Sequence, residues 1–329
     1  MPKNVTYLLG AGASASSLPT ITTLTKNIGD LAEDIKRTPS ENYVNPDEVI
    51  RFAEDLDWLY QNAQHHLTVD TLAKKLFLSY DSKGLERLKR TLSLFFTVVQ
   101  STNGLDKRYD ALLASLLELG NHHPNLPENI KILTWNYDIQ LELSASRYMN
   151  LSLTDTMEQI SSFPRNPYAN PDRLPTIVHL NGIAGFYKTN DQDNPVKSLY
   201  RAVINSKEEI LEKIHFTIQN SERGSLDFND LFNFAWEDNS TSEKTVKFAK
   251  EIATKSDILV VIGYSVPFFN RAVDRLIFET YINNDREKPR IYFQNPNIDG
   301  SFLTAQFKID EKFITHIQDH NQFFIPHEL

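Results

Sequence analysis

Five short apolar runs, at residues 5–9, 130–134, 176–180, 258–262 and 290–294, are β-branched or aromatic and stop at Gly or polar residues. That pattern predicts buried strands. Ile258-Leu259-Val260-Val261-Ile262 is apolar at every position, as in a parallel sheet covered on both faces. Segments with three-and-four spacing separate the runs. The expected fold class is therefore α/β, a Rossmann-like parallel sheet with helices on both faces.

Residues 46–124 carry little strand signal. Val49, Phe52, Ala53, Leu56 and Leu59-Tyr60 fall on one helical face. So do Leu85, Leu88, Leu92, Phe95-Phe96 and Val99, and then Tyr109, Leu112-Leu113, Leu116-Leu117 and Leu119. Asp70 is placed to cap a helix over 71–78. The expected organisation is a Rossmann-like domain from 1–45 and 125–329, with a helical insertion at 46–124. A second, irregular insertion at 185–250 is polar, with one helix around 207–219.

Composition narrows the function classes. The chain has 329 residues, 34 basic against 43 acidic side chains and a net charge of −9. An acidic balance disfavours a general nucleic-acid binder, which needs clustered Lys and Arg for phosphate. With no cysteine there is no disulfide framework, thiolate zinc site or Cys nucleophile. A reducing cytoplasm is the expected compartment. The longest strongly apolar charge-free stretch, residues 258–270, is far short of the roughly 20 residues a membrane-spanning helix needs.

Polar residues gather where strands end. Gly10-Ala11-Gly12-Ala13-Ser14-Ala15 follows the first strand and matches the G-x-G-x-x-G/A turn that approaches a pyrophosphate. The helix after it, around 20–35, would point its positive end at the phosphates; a plain tight turn is the alternative. A dehydrogenase would next need an acidic residue ending a second strand about 20 residues on. Asp30, Glu33 and Asp34 sit instead in a helical pattern. Thr134-Trp135-Asn136-Tyr137-Asp138 ends the second strand, where open α/β sheets bind ligands; Asn136 and Asp138 also suit helix capping. His179-Leu180-Asn181-Gly182, Gly263-Tyr264-Ser265-Val266-Pro267 and Gln294-Asn295 end the next three. Pro267 stands where a nucleophile elbow requires Gly, so Ser265 reads as a hydrogen-bonder for phosphate or ribose.

Taken together these segments resemble the sirtuin-like domains. Sirtuins show a Gly-Ala-Gly-x-Ser turn, a Gln-Asn-x-Asp segment, a His followed by Gly, a Gly-Thr-Ser segment and a strand ending in Asn. Here the order is Gly10-Ala11-Gly12-Ala13-Ser14, Trp135-Asn136-Tyr137-Asp138, His179 with Gly182, Gly263-Tyr264-Ser265 and Asn295. The four-cysteine zinc module of deacylating sirtuins is missing, and Thr20-Ile21-Thr22 replaces the Phe-Arg of their cofactor loop. The Asn-Tyr-Asp form and the helical insertion look more like the zinc-less sirtuin-like effectors of bacterial anti-phage defence.

The resemblance implies a hydrolase that splits NAD into nicotinamide and ADP-ribose, with NAD as substrate and no metal. Asn136 would order the attacking water, His179 would act in neutral form on ribose or water, and Asp138 would bind the nicotinamide carboxamide. Gly10, Ala11, Gly12 and Ser14 would cradle the pyrophosphate. Gly263, Ser265 and Asn295 would serve the adenosine half. An uncontrolled NADase is toxic and no sensor domain is evident, so control by a homo-oligomer or a separately encoded sensor or activator is expected. The alternatives are a non-catalytic NAD or ADP-ribose sensor module and an NAD-dependent protein deacylase. His316 and His320, four apart, would share a helix face but lack a third metal ligand.

Overall fold

The computed structural model describes residues 2–38, 46–120, 122–164, 174–189, 196–200, 210–211, 214, 227–228, 231–284 and 288–329. The chain divides into two compact units. The first comprises Met1–Ser14, Leu105–Gly182 and Phe234–Leu329; the second comprises Ala15–Gly104 and Ile183–Asn233.

The first unit is an α/β layer structure built on a seven-stranded parallel sheet. Its strands are β1 (Val5–Leu9), β2 (Ile130–Thr134), β3 (Ser162–Phe163), β4 (Ile177–His179), β7 (Ile258–Ile262), β8 (Ile291–Gln294) and β9 (Ile314–Ile317). They lie in the order β3-β4-β2-β1-β7-β8-β9, and each neighbouring pair is parallel. The centre of the sheet is the most apolar part of the sequence, since a strand flanked by partners and covered on both faces meets no water.

Strand alternation sorts the core into two halves. Leu8, Leu133, Val178, Leu259 and Val261 pack on one face with Ile252 and Ala253 of α8 (Ser240–Lys255) and Ile277 and Phe278 of α9 (Arg271–Ile282). Val5, Tyr7, Leu9, Ile132, Val260 and Ile262 pack on the other. There they meet Leu112 and Leu113 of α5 (Lys107–Leu116) and Leu141 and Ala145 of α6 (Gln140–Met149). Two further helices, α7 (Leu153–Gln159) and α10 (Ser301–Phe307), complete the unit.

The second unit holds α1 (Ile21–Arg37), α2 (Pro46–Ala63), α3 (Val69–Leu78) and α4 (Ser82–Asn103), with the antiparallel hairpin β5 (Phe186–Lys188) and β6 (Val196–Ser198). From Leu88 to Ser101, apart from Arg90, α4 is buried all round. Its Thr91, Thr97 and Ser101 hydroxyls donate to carbonyls four residues back, which satisfies them without a tertiary partner. Asp55 of α2 receives both Arg87 and Arg90 of α4, at 2.6 and 2.9 Å.

Several local expectations change. Thr68, not Asp70, caps α3, its hydroxyl accepting from the Thr71 amide, while Asp70 lies in the first turn. Leu119 falls outside α5 and is 98% exposed. His316 lies on β9 and His320 beyond it, because Ile314 and Ile317 are used by a strand and not by a helix face. Asp30, Glu33 and Asp34 are exposed on α1. The helix expected around 207–219 lies outside the described residues apart from 210, 211 and 214. Among the described residues no helix is long and apolar enough to cross a membrane.

Candidate active site

The carboxyl ends of β1, β2, β4 and β7 carry the polar residues, all in the first unit. β1 runs into a single 3-10 turn over Ala11–Ser14. This turn packs directly on the turn after β7. The Gly10 amide donates to the Ile262 carbonyl and the Gly12 amide to the Gly263 carbonyl, both at 2.9 Å. A Cβ on Gly12 would stand 2.7 Å from the Gly263 Cα, and Gly263 itself has φ +60°. The glycines are therefore required by turn-on-turn contact.

The Gly10 and Gly12 amides, and the Ala13 amide through the Gly10 carbonyl, donate within the protein. The carbonyls of Gly12 and Ala13 are held in turn by Arg108, at 3.2 and 3.1 Å. Arg108 pairs with Asp106 at 2.6 Å and lies over the Phe323 ring. α1, expected to follow the turn with its N-terminus toward phosphate, belongs to the second unit.

Ser14 is the hub of a buried polar cluster. Its hydroxyl is 3.0 Å from the Tyr109 hydroxyl and accepts from Asn136 Nδ2 at 3.3 Å. It also hydrogen-bonds the Asp138 carboxylate. Asp138 further accepts from the Gln140 amide at 3.2 Å; it stands one residue before Ile139, the N-cap of α6, which has no side-chain cap. Burial pushes the Asp138 carboxyl up to about 6; the Ser14 and Gln140 hydrogen bonds oppose that rise. Burial and the nearby Asp138 charge hold the Tyr109 phenol neutral.

His179 and Glu142 are both 1% exposed, with Nε2 2.7 Å from Glu142 Oε1. Ser162 donates to the same carboxylate oxygen at 2.8 Å. The other ring nitrogen, Nδ1, is 3.2 Å from the Asn136 backbone carbonyl, so it must carry a proton. Burial opposes charge on both side chains, yet each partner favours the other's ionised form. The His179 imidazole is raised and the Glu142 carboxyl lowered. Both ring nitrogens thus face oxygen acceptors. Glu142, in the first turn of α6, is a counter-charge that strand-end spacing did not reveal.

Asn181, just beyond β4 and before Gly182, is 6% exposed. Its Nδ2 donates to the Trp135 carbonyl at 3.4 Å, and its Oδ1 accepts no hydrogen bond. A buried carbonyl without a donor is costly, which singles Asn181 out among the polar residues at this sheet edge. Its position immediately before the glycine is the sequence signal that could have singled it out. Asn295 is used locally: Nδ2 donates to the Tyr264 carbonyl at 3.1 Å and Oδ1 accepts from the Asn297 amide at 2.9 Å. Ser265 is exposed and Ala11 half-buried.

The structure thus brings together Ser14, Asn136, Asp138 and His179, with Tyr109 and Glu142. It sets Gly10, Gly12 and Gly263 in a packed turn pair beside them. Two cavities, of about 810 and 550 Å³, lie at the opposite, amino end of the sheet, lined among others by Glu128 and Thr176. None of the expected site residues lines them.

No family profile matches the chain. No curated protein matches it either. Among solved structures it is similar to Sir2 in complex with an inhibitor, 2′-O-acetyl-ADP-ribose and a deacetylated p53 peptide. The two share 12% identity over 96% of this chain and 88% of that one, with a TM-score of 0.42. It is also similar to a mutant Sir2 homologue in complex with ADP-ribose, at 16% identity, 92% of this chain, 83% of that one and a TM-score of 0.43.

Proposed function

We propose that the chain is an NAD+ glycohydrolase whose reaction takes place at the Asn136–Asp138 edge of the sheet. The observation that carries this is the buried cluster of Ser14, Asn136 and Asp138 at adjoining strand ends, beside an acceptor left open on Asn181. In the reaction the C1′–N bond to nicotinamide breaks and its electron pair neutralises the pyridinium. Water oxygen bonds to C1′, and the surplus proton leaves to solvent. Positive charge grows on the ribose as the bond lengthens, so fixed dipoles and a held water lower the barrier. Asn136 orders that water, Asp138 as carboxylate accepts from the nicotinamide carboxamide, and Asn181 Oδ1 accepts from a ribose hydroxyl. His179, paired with Glu142, fixes the Asn136 backbone. Ser14 contributes to the pyrophosphate end, with Ser265 on the adenosine half, while Gly10, Ala11, Gly12, Gly263 and Asn295 shape the turns. A cytoplasmic anti-phage effector released by self-assembly or by a separately encoded partner is part of the same proposal.

One observation favours a second reading, an NAD- or ADP-ribose-binding module that does not hydrolyse. Both ring nitrogens of His179 are already engaged, leaving no imidazole base. The two are separated by incubating the purified chain with NAD and following products by mass spectrometry, with calorimetry for binding. Free nicotinamide and ADP-ribose, lost in Asn136→Ala, support hydrolysis. Binding with NAD intact supports the module, and neither result overturns both.

A further inference from the structure

Asp274 lies in the first turn of α9, fully buried, and no cation pairs with it among the described residues. Two donors converge on its carboxylate. Trp135 Nε1 reaches Oδ1 at 3.1 Å, and the Tyr264 hydroxyl lies 2.9 Å from Oδ1 and 2.7 Å from Oδ2. Asn270 Nδ2 donates to the Tyr264 oxygen at 3.0 Å, so that its proton is directed to Asp274. Trp135 is the residue before Asn136 and Tyr264 the residue after Gly263.

β2 and β7, just beyond whose ends these two residues stand, are not neighbours; β1 lies between them. The Trp135 and Tyr264 rings stack across that gap, with centroids 6.1 Å apart and planes within 15°. A Cβ on Gly10, at the end of β1, would stand 2.6 Å from both Cα and Cδ2 of Tyr264. Gly10 therefore gives the tyrosine the space to reach across.

We propose that Asp274 is a positioning residue that sets the distance between Asn136 and the Gly263 turn. It does so by gripping the indole and phenol that flank the glycine turn from either side. A carboxyl buried this deeply without a cation costs stability, and burial raises it to about 8 against the Tyr264 and Trp135 hydrogen bonds. An apolar residue would fill the same space without that cost, so the carboxyl has a use other than packing. Alignment of this kind matters because a displacement near 1 Å at a reacting group can cost about a hundredfold in rate.

The inference rests on the proposed site, so its test has one arm that needs no NAD. The side-chain amide signals of Asn136, assigned by their loss in Asn136→Ala, are recorded by NMR in the ligand-free chain. The Trp135 indole N–H is assigned through Trp135→Phe. Asp274→Asn is expected to shift or broaden both sets, and Tyr264→Phe does the same should Asp274→Asn not fold. Movement of the indole signal alone, with Asn136 unchanged, overturns the proposal whether or not NAD is a substrate. In the second arm, kcat falls about tenfold to a hundredfold in the folded variants. KM changes less than kcat. A purely structural carboxyl would give no such split. Wild-type protein that neither binds nor cleaves NAD refutes the proposed function while the first arm still decides the brace.

Discussion

Asp138 and Glu142 are two carboxylates four residues apart with opposite fates. Burial dominates at Asp138 and lifts it to about 6, whereas the His179 charge holds Glu142 below its ordinary value. If ionised Asp138 holds the carboxamide, NAD turnover is full above that value and falls as pH drops through about 6. Asp138→Asn removes the dependence along with most activity, as a pH–rate profile checks. For the buried pair the signs differ by partner. Glu142 contributes stability above its ordinary 4.5, lost as pH falls through its folded value. His179 contributes below its ordinary 6.5, lost as pH rises through its folded value. The pair is therefore at full strength between these ordinary values. Glu142→Gln leaves the imidazole buried without its counter-charge and is expected to cost about 3–5 kcal/mol, measured by urea denaturation at pH 6. A result below about 1 kcal/mol would mean that the pair is hydrated.

Turns and helices explain why some of these roles were legible and others were not. A glycine after a strand is visible in any sequence, and the Gly10-Ala11-Gly12 motif with the sirtuin-like Gly263-Tyr264-Ser265 segment marks Gly10, Gly12 and Gly263 as site elements. Their partners are the opposite turn and Tyr264, contacts more than 240 residues apart in sequence that no local spacing encodes. Gly263→Ala combines φ +60° with a Cβ 2.4 Å from the Ala13 nitrogen. It should lower stability by at least about 1–3 kcal/mol and loosen the Ser14 turn, seen as a drop in Tm together with weaker NAD binding. An unchanged Tm would show that the two turns do not pack as described. β9 is not legible in the sequence for a related reason. Its four residues alternate only once, and His316 and His320 mimic a helical pair until Ile314 is matched to Ile291 of β8.

For the whole chain, the expected control by assembly gives a direct measurement. Specific NAD turnover should rise with protein concentration, or on adding a separately encoded partner, and a constant specific activity from nanomolar upward removes that idea. The parallel α/β class and the strand-end location of the polar residues could be read from the chain, because burial on both faces forces continuous apolar strands and periodicity is a local property. What folding alone decided is which polar groups are consumed by the protein and which stay open. Asn295 and the glycine amides are spent on neighbouring turns, His179 on Glu142, and Asp274 on Trp135 and Tyr264. Hydrogen-bond partners are chosen by distance in space, and residues far apart along the chain acquire that distance only when the sheet closes.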